Sequence, residues 1–253
     1  MDKIGDIKLK LNRCADDELT AFVAAYASDE RAGVQKLVAS AEKRIKALEA
    51  ERIRIEELKY FEKKYSDYEF VCGVDEAGRG PLAGPVVAGA VIFPKDVDIL
   101  YINDSKKLSA KKREELYDVI REKALSCAVG IATAEEIDAL NILQATYEAM
   151  RRAIGGLSVT PDMLLVDAVH IPDVAMQQVG IVKGDAKSVS IGAASILAKV
   201  TRDRMMAEYD STFPGYGFAK HKGYGTAEHY AAIKKQGASP IHRMSFLKPE
   251  DLP

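Results

Sequence analysis

The chain has 253 residues, 47% of them hydrophobic and 29% charged, with a formal net charge of −2. These are ordinary values for a soluble globular protein, and the length suits one full domain plus an appendage. They argue against a membrane protein, since no stretch approaches the ~20 apolar residues of a span, and against a whole-molecule polyanion binder.

The opening "MDKIGDIKLKLNRC" alternates charged and apolar residues, unlike a signal peptide, so cytoplasmic residence is expected. Residues 1–66 read as a helical extension. In "SAEKRIKALEAERIRIEELKYFEKKY", Ile45, Leu48, Ile53, Ile55 and Leu58 recur among alternating charges, with oppositely charged pairs at helical spacing. No Pro or Gly occurs between Gly33 and Gly73, which fits one long helix or a hairpin. A solvated charged face accounts for this segment; a nucleic-acid grip through Arg31 and Lys36 is the functional alternative.

The composition changes at "SDYEFVCGVD", placing a boundary near Asp67 and a second domain over 67–253. Phe70–Val74 and "PVVAGAVIF" read as strands joined by a glycine-rich turn. "SAKKREELYDVIREKA" is an amphipathic helix with Ser109 as N-cap. "CAVGIA" is a third strand, and "EEIDALNILQATYEAMRRAIGG" a helix stopped by Gly155-Gly156. "DMLLVD" and "QQVGIV" are further apolar runs. "SVSIGAASILAKVTRDRMMAEY" is a long helix whose Gly192, Ala193, Ala194, Ser195 and Ala198 permit close packing. The order of elements predicts a mixed α/β fold, a mixed sheet covered by helices.

Charge is uneven along the chain. Residues 183–248 hold 11 Lys/Arg against 5 Asp/Glu, whereas the first 70 hold 14 against 15. Such a local surplus suits a phosphate-facing surface, although ordinary solvated surfaces reach it too. Cys14, Cys72 and Cys127 are widely separated in apolar surroundings and read as reduced thiols, forming neither a disulfide framework nor a zinc site.

The chemistry concentrates at strand ends. Asp75 ends "FVCGV", Asp167 ends "MLLV", Asp185 follows "VGIVKG", and Glu76 adds a fourth carboxylate. Strand ends are where sites assemble in α/β sheets. Each acid alone reads as a turn or cap residue; four together would repel unless compensated, and an all-oxygen donor set selects Mg²⁺ or Mn²⁺. Two such ions are a common means of phosphodiester hydrolysis. In "AGRGPLAG", Gly78 and Gly80 let backbone amides approach a ligand, and Arg79 offers a planar fork of donors to a phosphate. Neither a Walker nor a dinucleotide pattern fits, because no Gly-Lys-Ser/Thr follows and a strand stands where a helix is needed. A close backbone is suited to sensing a 2′-hydroxyl, the group that separates RNA from DNA.

Taken in order, "GVDEAGRGPLAGPVVAGAVI", "DSKKLS", "LLVDA", "VKGDAKSVSIGAASILAKVTRDRMM" and "YGFAKHKGYGTAEH" resemble bacterial ribonuclease HII over residues 70–246. The N-terminal segment with "RAGVQKL" resembles the extension that some members carry. The resemblance implies a ribonuclease H-like fold and metal-dependent endonucleolytic cleavage of RNA paired with or joined to DNA. It further implies incision 5′ of a ribonucleotide embedded in duplex DNA, using Mn²⁺ or Mg²⁺. It assigns Asp75, Glu76, Asp167 and Asp185 as the metal-binding catalytic set. Gly78, Arg79 and Gly80 fall on the loop that reads the ribose, and Tyr224 on the tyrosine that packs against the next deoxyribose. Outside that motif, Tyr224 would read as a core tyrosine.

Lys106, Lys107, Lys183, Lys187 and Lys220 are candidates for phosphate contacts, each equally readable as a solvated lysine. Asp203 ranks below Asp185 as a ligand. Gly192 stands where the family leads one to expect alanine, at a helical cost of about 1 kcal/mol. The sister ribonuclease HIII shares the catalytic motifs but carries a sheet-containing N-terminal domain. A non-catalytic binder of RNA–DNA hybrids is the reading from another class. The C-terminal "SFLKPEDLP" reads as a disordered tail rather than a docking segment. A monomer is the default, and nothing in the sequence supports sliding-clamp binding.

Overall fold

Residues 2–253 are described in the computed structural model, and the chain parts into two units between Glu56 and Glu57. The first unit is helical. It contains α1 (Ile4–Arg13), α2 (Leu19–Tyr26) and most of α3 (Ala32–Leu58). Apolar residues at helical spacing build its core: Ile7 and Leu11, then Leu19 and Phe22, then Val34, Val38 and Ala41. Ile45 and Leu48 pack against this cluster, whereas Ile53 is 63% exposed and so lies off the predicted stripe. Arg31 is not free to grip a phosphate. Its Nε and Nη2 are held by Asp29 at 2.9 and 2.6 Å, and Nη1 donates to the Asp2 carbonyl.

The division falls ten residues before the change in composition near Asp67. Residues 57–66, including α4 (Tyr60–Lys64), pack with the second unit. Phe61 and Tyr65 lie on Met163, Leu165, Ile181 and Ile191, and Glu62 Oε1 accepts from Ser188 Oγ and from both the amide and hydroxyl of Ser190. The helical pattern of residues 57–66 hides this affiliation.

The second unit is built on five strands: β1 (Val71–Ala77), β2 (Val86–Ile92), β3 (Ser126–Ala132), β4 (Met163–Asp167) and β5 (Gln177–Ile181). Their order is β3-β2-β1-β4-β5. The β1–β2 and β2–β3 pairs are antiparallel, and β1–β4 and β4–β5 are parallel. This is the mixed sheet expected from the element order. Helices α5 (Ala110–Lys123), α6 (Ala134–Leu140), α7 (Ile142–Gly155), α8 (Val189–Thr212), α9 (Phe218–His221) and α10 (Ala227–Gln236) complete the unit.

Alternation along β1 sends successive side chains to opposite faces. Cys72 and Val74 join Ala145, Ala149, Met150 and Ala153 of α7 in the main core. Gly73 faces α8 so closely that a Cβ there would lie 2.1 Å from the Ser190 carbonyl carbon, and one on Gly89 would lie 2.4 Å from the Ala194 oxygen. These two strand glycines are therefore a condition for the seat of α8 on the sheet. Gly192 belongs to the same logic, because a Cβ would meet the Asp185 oxygen at 3.0 Å and Ile102 at 2.8 Å.

Two expectations change. The segment 134–155 is two helices, because Asn141 adopts a left-handed φ of 70° and caps α7 by accepting from the amides of Leu143 and Gln144. The C-terminal segment is packed rather than disordered. Met244–Phe246 and Pro249–Asp251 form single turns, and Phe246, Leu247 and Leu252 lie against the cluster around Phe218 and Ile233. Ser109 caps α5 as expected, accepting from Lys112 N. Among the described residues no helix is long and apolar enough to cross a membrane.

Candidate active site

The sheet delivers its acids to one place. Register pairs Val74 with Val166 across the parallel β1–β4 ladder, so Asp75 and Asp167 are the next residues along on neighbouring strands. Asp185 comes in the turn Gly184–Ala186 after β5, and the Gly184 amide donates to Asp167 Oδ1 at 2.7 Å. Asp75, Glu76, Asp167 and Asp185 line a single cleft of ≈ 430 Å³ with Gly78, Arg79, Gly80, Lys106 and Tyr224.

The acids feel one another's charge. Asp75 is 5% exposed, and burial, followed by the charges of Glu76 and Asp167, pushes its carboxyl well above the usual range. A Ser195 hydroxyl and the Glu76 amide (2.7 Å) act against that shift. Glu76 is raised by burial, with Arg79 Nη1 opposing at 3.3 Å. Asp185 is raised by burial and then by Asp104 and Asp167, an arrangement in which Asp104 is a further acid of the neighbourhood. Among the described residues no Lys or Arg forms an ion pair with Asp75, Asp167 or Asp185.

The donor set fits a hard divalent cation: oxygen ligands only, crowded and mutually repelling, with a buried carboxylate that no cation of the chain neutralises. Among the described residues no three His, Cys, Asp or Glu side chains are gathered closely enough to hold an ion as they stand. The carboxylates share a cleft and an electrostatic field rather than a closed cage.

Local backbone geometry is unusual around these residues. Ala168, Lys183 and Lys222 are non-glycine residues with φ of 56°, 58° and 54°. One follows Asp167, one precedes Asp185 by two positions, and one precedes Tyr224 by two. Left-handed residues of this kind persist only where the surrounding structure holds them. Gly78 has φ 97°, and a Cβ there would lie 2.1 Å from Arg202 Nε. Gly80 differs. Its φ lies outside the left-handed region, and a Cβ would touch only Tyr224 Cε1, at 3.8 Å. Packing within the protein does not require a glycine there.

Of the lysines singled out for phosphate contact, only Lys106 lines the cleft. Lys187 donates to the Val182 carbonyl and Lys220 pairs with Glu228 at 2.6 Å. Lys107 and Lys183 do not line it either; Lys183 instead leads into the Asp185 turn. The cleft also contains Ser105, Ser195, Lys199 and Arg202, which sequence reasoning passed over. Ser195, Lys199 and Arg202 stand at i, i+4 and i+7 on α8, a helical spacing that was available as a signal. Asp203 is turned to Lys199 (2.6 Å) and Arg113 (3.8 Å) instead of the carboxylates.

Comparison with known proteins places the chain in a family. Residues 72–248 match the family model for ribonuclease HII, and residues 3–66 match the ribonuclease HII N-terminal domain. A ribonuclease HII of Lachnoclostridium phytofermentans is 58% identical over 246 residues, 97% of each chain. That of Clostridioides difficile is 51% identical over 247 residues, again 97% of each. Among solved structures, ribonuclease H2 of Pyrococcus horikoshii superposes with a TM-score of 0.57 at 28% identity, over 70% of this chain and 93% of that one. The Archaeoglobus fulgidus ribonuclease HII from a complex with PCNA gives 0.58 at 27% identity, over 71% and 96%. A ribonuclease HIII in complex with Mn²⁺ shares the fold at 16% identity, TM-score 0.56, over 72% of this chain and 68% of its own. The chain belongs to the ribonuclease HII family and is an endoribonuclease.

Proposed function

We propose that the protein hydrolyses RNA in RNA–DNA hybrids and incises 5′ of ribonucleotides embedded in duplex DNA, leaving 3′-hydroxyl and 5′-phosphate ends. The reaction depends on Mn²⁺ or Mg²⁺ held by Asp75, Glu76, Asp167 and Asp185. The observation that carries this reading is the single cleft in which those four acids face the Gly78–Gly80 loop and Tyr224. Bound there, divalent cations supply charge neutralisation and Lewis acidity for phosphodiester hydrolysis.

The remaining roles fall to the chain itself. Ser195, which shares a hydroxyl–hydroxyl hydrogen bond with Ser105 at 3.0 Å, lines the cleft with Asp75 and favours its charged form. Arg79 and Lys106 offer positive charge to a phosphate entering the cleft. Gly80 leaves open the space beside the Tyr224 ring, so that a sugar can lie between backbone and aromatic edge. The absence of a 2′-hydroxyl would leave donors of the loop unpaired, the basis of selection for RNA over DNA. The packed C-terminal segment keeps Phe246, Leu247 and Leu252 against their own unit, so we assign it no clamp-docking role.

The test is incision of an end-labelled DNA duplex carrying one ribonucleotide, with and without divalent cation. A cut mapped to the 5′ side of that ribonucleotide, dependent on the cation and lost in Asp75→Asn, is expected. Cation-independent cutting, or equal cutting of an all-DNA duplex, would overturn the reading. Tight hybrid binding without cleavage in Mn²⁺ would identify a non-catalytic binder instead.

A further inference from the structure

Beneath the Gly78–Pro85 loop lie two arginines that the proposed chemistry does not use. Arg202 and Arg243 are 1% and 0% exposed, the two largest fully buried side chains among the described residues. Neither guanidinium meets a carboxylate among the described residues; both donate to backbone carbonyls. Arg243 Nε donates to Gly84 O at 2.9 Å, Nη1 to Arg79 O at 2.9 Å and Pro81 O at 2.8 Å, and Nη2 to Gly78 O at 2.5 Å. Arg202 Nε donates to Pro85 O at 2.9 Å and Nη2 to Ala83 O at 3.0 Å. The Leu82 carbonyl accepts from the Arg243 amide at 2.8 Å. Seven of the eight carbonyls from Gly78 to Pro85 are thus turned inward, six of them onto the two guanidiniums.

The amides of the loop divide differently. Leu82 N donates to Gly223 O and Gly84 N to Ile241 O, both at 2.8 Å. The amides of Arg79 and Gly80 donate to no other group among the described residues, and both residues line the cleft. Two unpaired guanidiniums side by side in an interior are an expensive way to fill space, and an apolar pair would pack at lower cost. Burial and the nearby Arg202 charge hold the Arg243 guanidinium down at about 9. What a guanidinium offers, and an apolar or ammonium group does not, is a rigid planar fork of donors that can hold several carbonyls at once.

We propose that Arg243 is a positioning residue for substrate selection, its guanidinium fixing the loop carbonyls inward so that the Arg79 and Gly80 amides stand as a preset donor pair for a ribose in the cleft. The proposal rests on the functional reading given above. Arg202 shares the task at the far end of the loop. The segment carrying Arg243 is itself anchored by Asp138 of α6, which accepts from the amides of Met244 (2.8 Å) and Ser245 (2.9 Å) and from the Ser245 hydroxyl.

The test compares the parent with R243K and D138A. Each is assayed for incision of a duplex carrying one ribonucleotide, for inhibition of that reaction by an all-DNA duplex of the same sequence, and for thermal unfolding. R243K keeps charge and stem but loses the fork. It is expected to raise KM about tenfold, to lower kcat far less, and to let the all-DNA duplex inhibit at concentrations nearer those of the ribonucleotide substrate. D138A leaves the guanidinium intact and loosens its anchor; a rise in KM of about threefold, with the same loss of discrimination, is expected. A residue that served stability alone would lower Tm and leave the KM-to-kcat split and the discrimination unmoved. If R243K does not fold, D138A decides by the same readouts. Parental KM and discrimination in the folded variants would overturn the role of Arg243, whereas failure of the parent to incise the ribonucleotide duplex would overturn the functional reading itself.

Discussion

The two glycines flanking Arg79 should respond oppositely to the same added methyl group. In Gly78→Ala the Cβ lies 2.1 Å from Arg202 Nε, 2.4 Å from its Cδ and 2.7 Å from the Pro85 oxygen, at φ 97°. The left-handed backbone costs about 1–2 kcal/mol. Forcing a methyl into an occupied site costs about 1–3 kcal/mol more. The total, about 2–5 kcal/mol, corresponds to a fall in Tm of roughly 4–20 °C for a chain of this size. In Gly80→Ala the new carbon touches only Tyr224 Cε1 at 3.8 Å, so stability should stay within about 0.5 kcal/mol of the parent. Its activity should nevertheless fall by about 10²-fold, because a methyl group there displaces the sugar from the backbone by an ångström or more. Calorimetry and single-ribonucleotide incision on both variants separate the two effects. Parental incision by Gly80→Ala would refute the view that this glycine serves the substrate; parental stability of Gly78→Ala would refute the seat of the loop on Arg202.

Asp75→Asn should abolish cleavage and raise Tm in the presence of chelator, since it removes a charge from a buried, like-charged group. Added Mn²⁺ or Mg²⁺ should raise the Tm of the parent and much less that of the variant, which calorimetry can follow. Acid stability should reflect the histidines behind Tyr224. Burial and then His229 push His242 down to about 4, and burial lowers His229. The unfolded chain, with ordinary histidines near 6.5, therefore binds more protons. Stability contributed by the neutral pair is full above about 6.5 and is lost as pH falls toward about 4; equilibrium unfolding of His242→Gln should show a flatter slope across that window. Asn141→Ala should cost about 2–3 kcal/mol through the left-handed φ and the lost cap, and Asn141→Gly clearly less, with incision by the folded protein unchanged.

The acids were legible because each stands at the end of an apolar run, and a sheet places the ends of parallel strands side by side. Asp75 and Asp167 needed no more than that. What was illegible depends on residues far apart in the chain. Arg243 reads as one more basic residue of the C-terminal surplus, yet it binds a carbonyl 165 positions away. Lys187 and Lys220 looked equal to Lys106 as phosphate contacts, and local partners set them apart. The break at Asn141 was masked because the apolar periodicity continues across it, while the cap that makes the break is a side-chain property. The packing of "SFLKPEDLP" was masked by its short, polar, proline-containing sequence. Its apolar residues are too few to announce a core but enough to join one.

Helix α8 shows why fold and site resist separation here. Its small residues let Gly73 and Gly89 bring the sheet within touching distance of the helix backbone. That closeness carries Ser195 to Asp75, and one and two turns further on brings Lys199 to the cleft and Arg202 beneath the Gly78–Pro85 loop. A larger side chain at Ala194 would lift the helix from β2, and the polar row would move with it. Loss of stability and loss of cleavage should therefore rise together for substitutions on the small face of α8, whereas at Gly80 they come apart. The contrast arises because the helix is rigid and spans both regions, while the loop meets the substrate with only its own backbone.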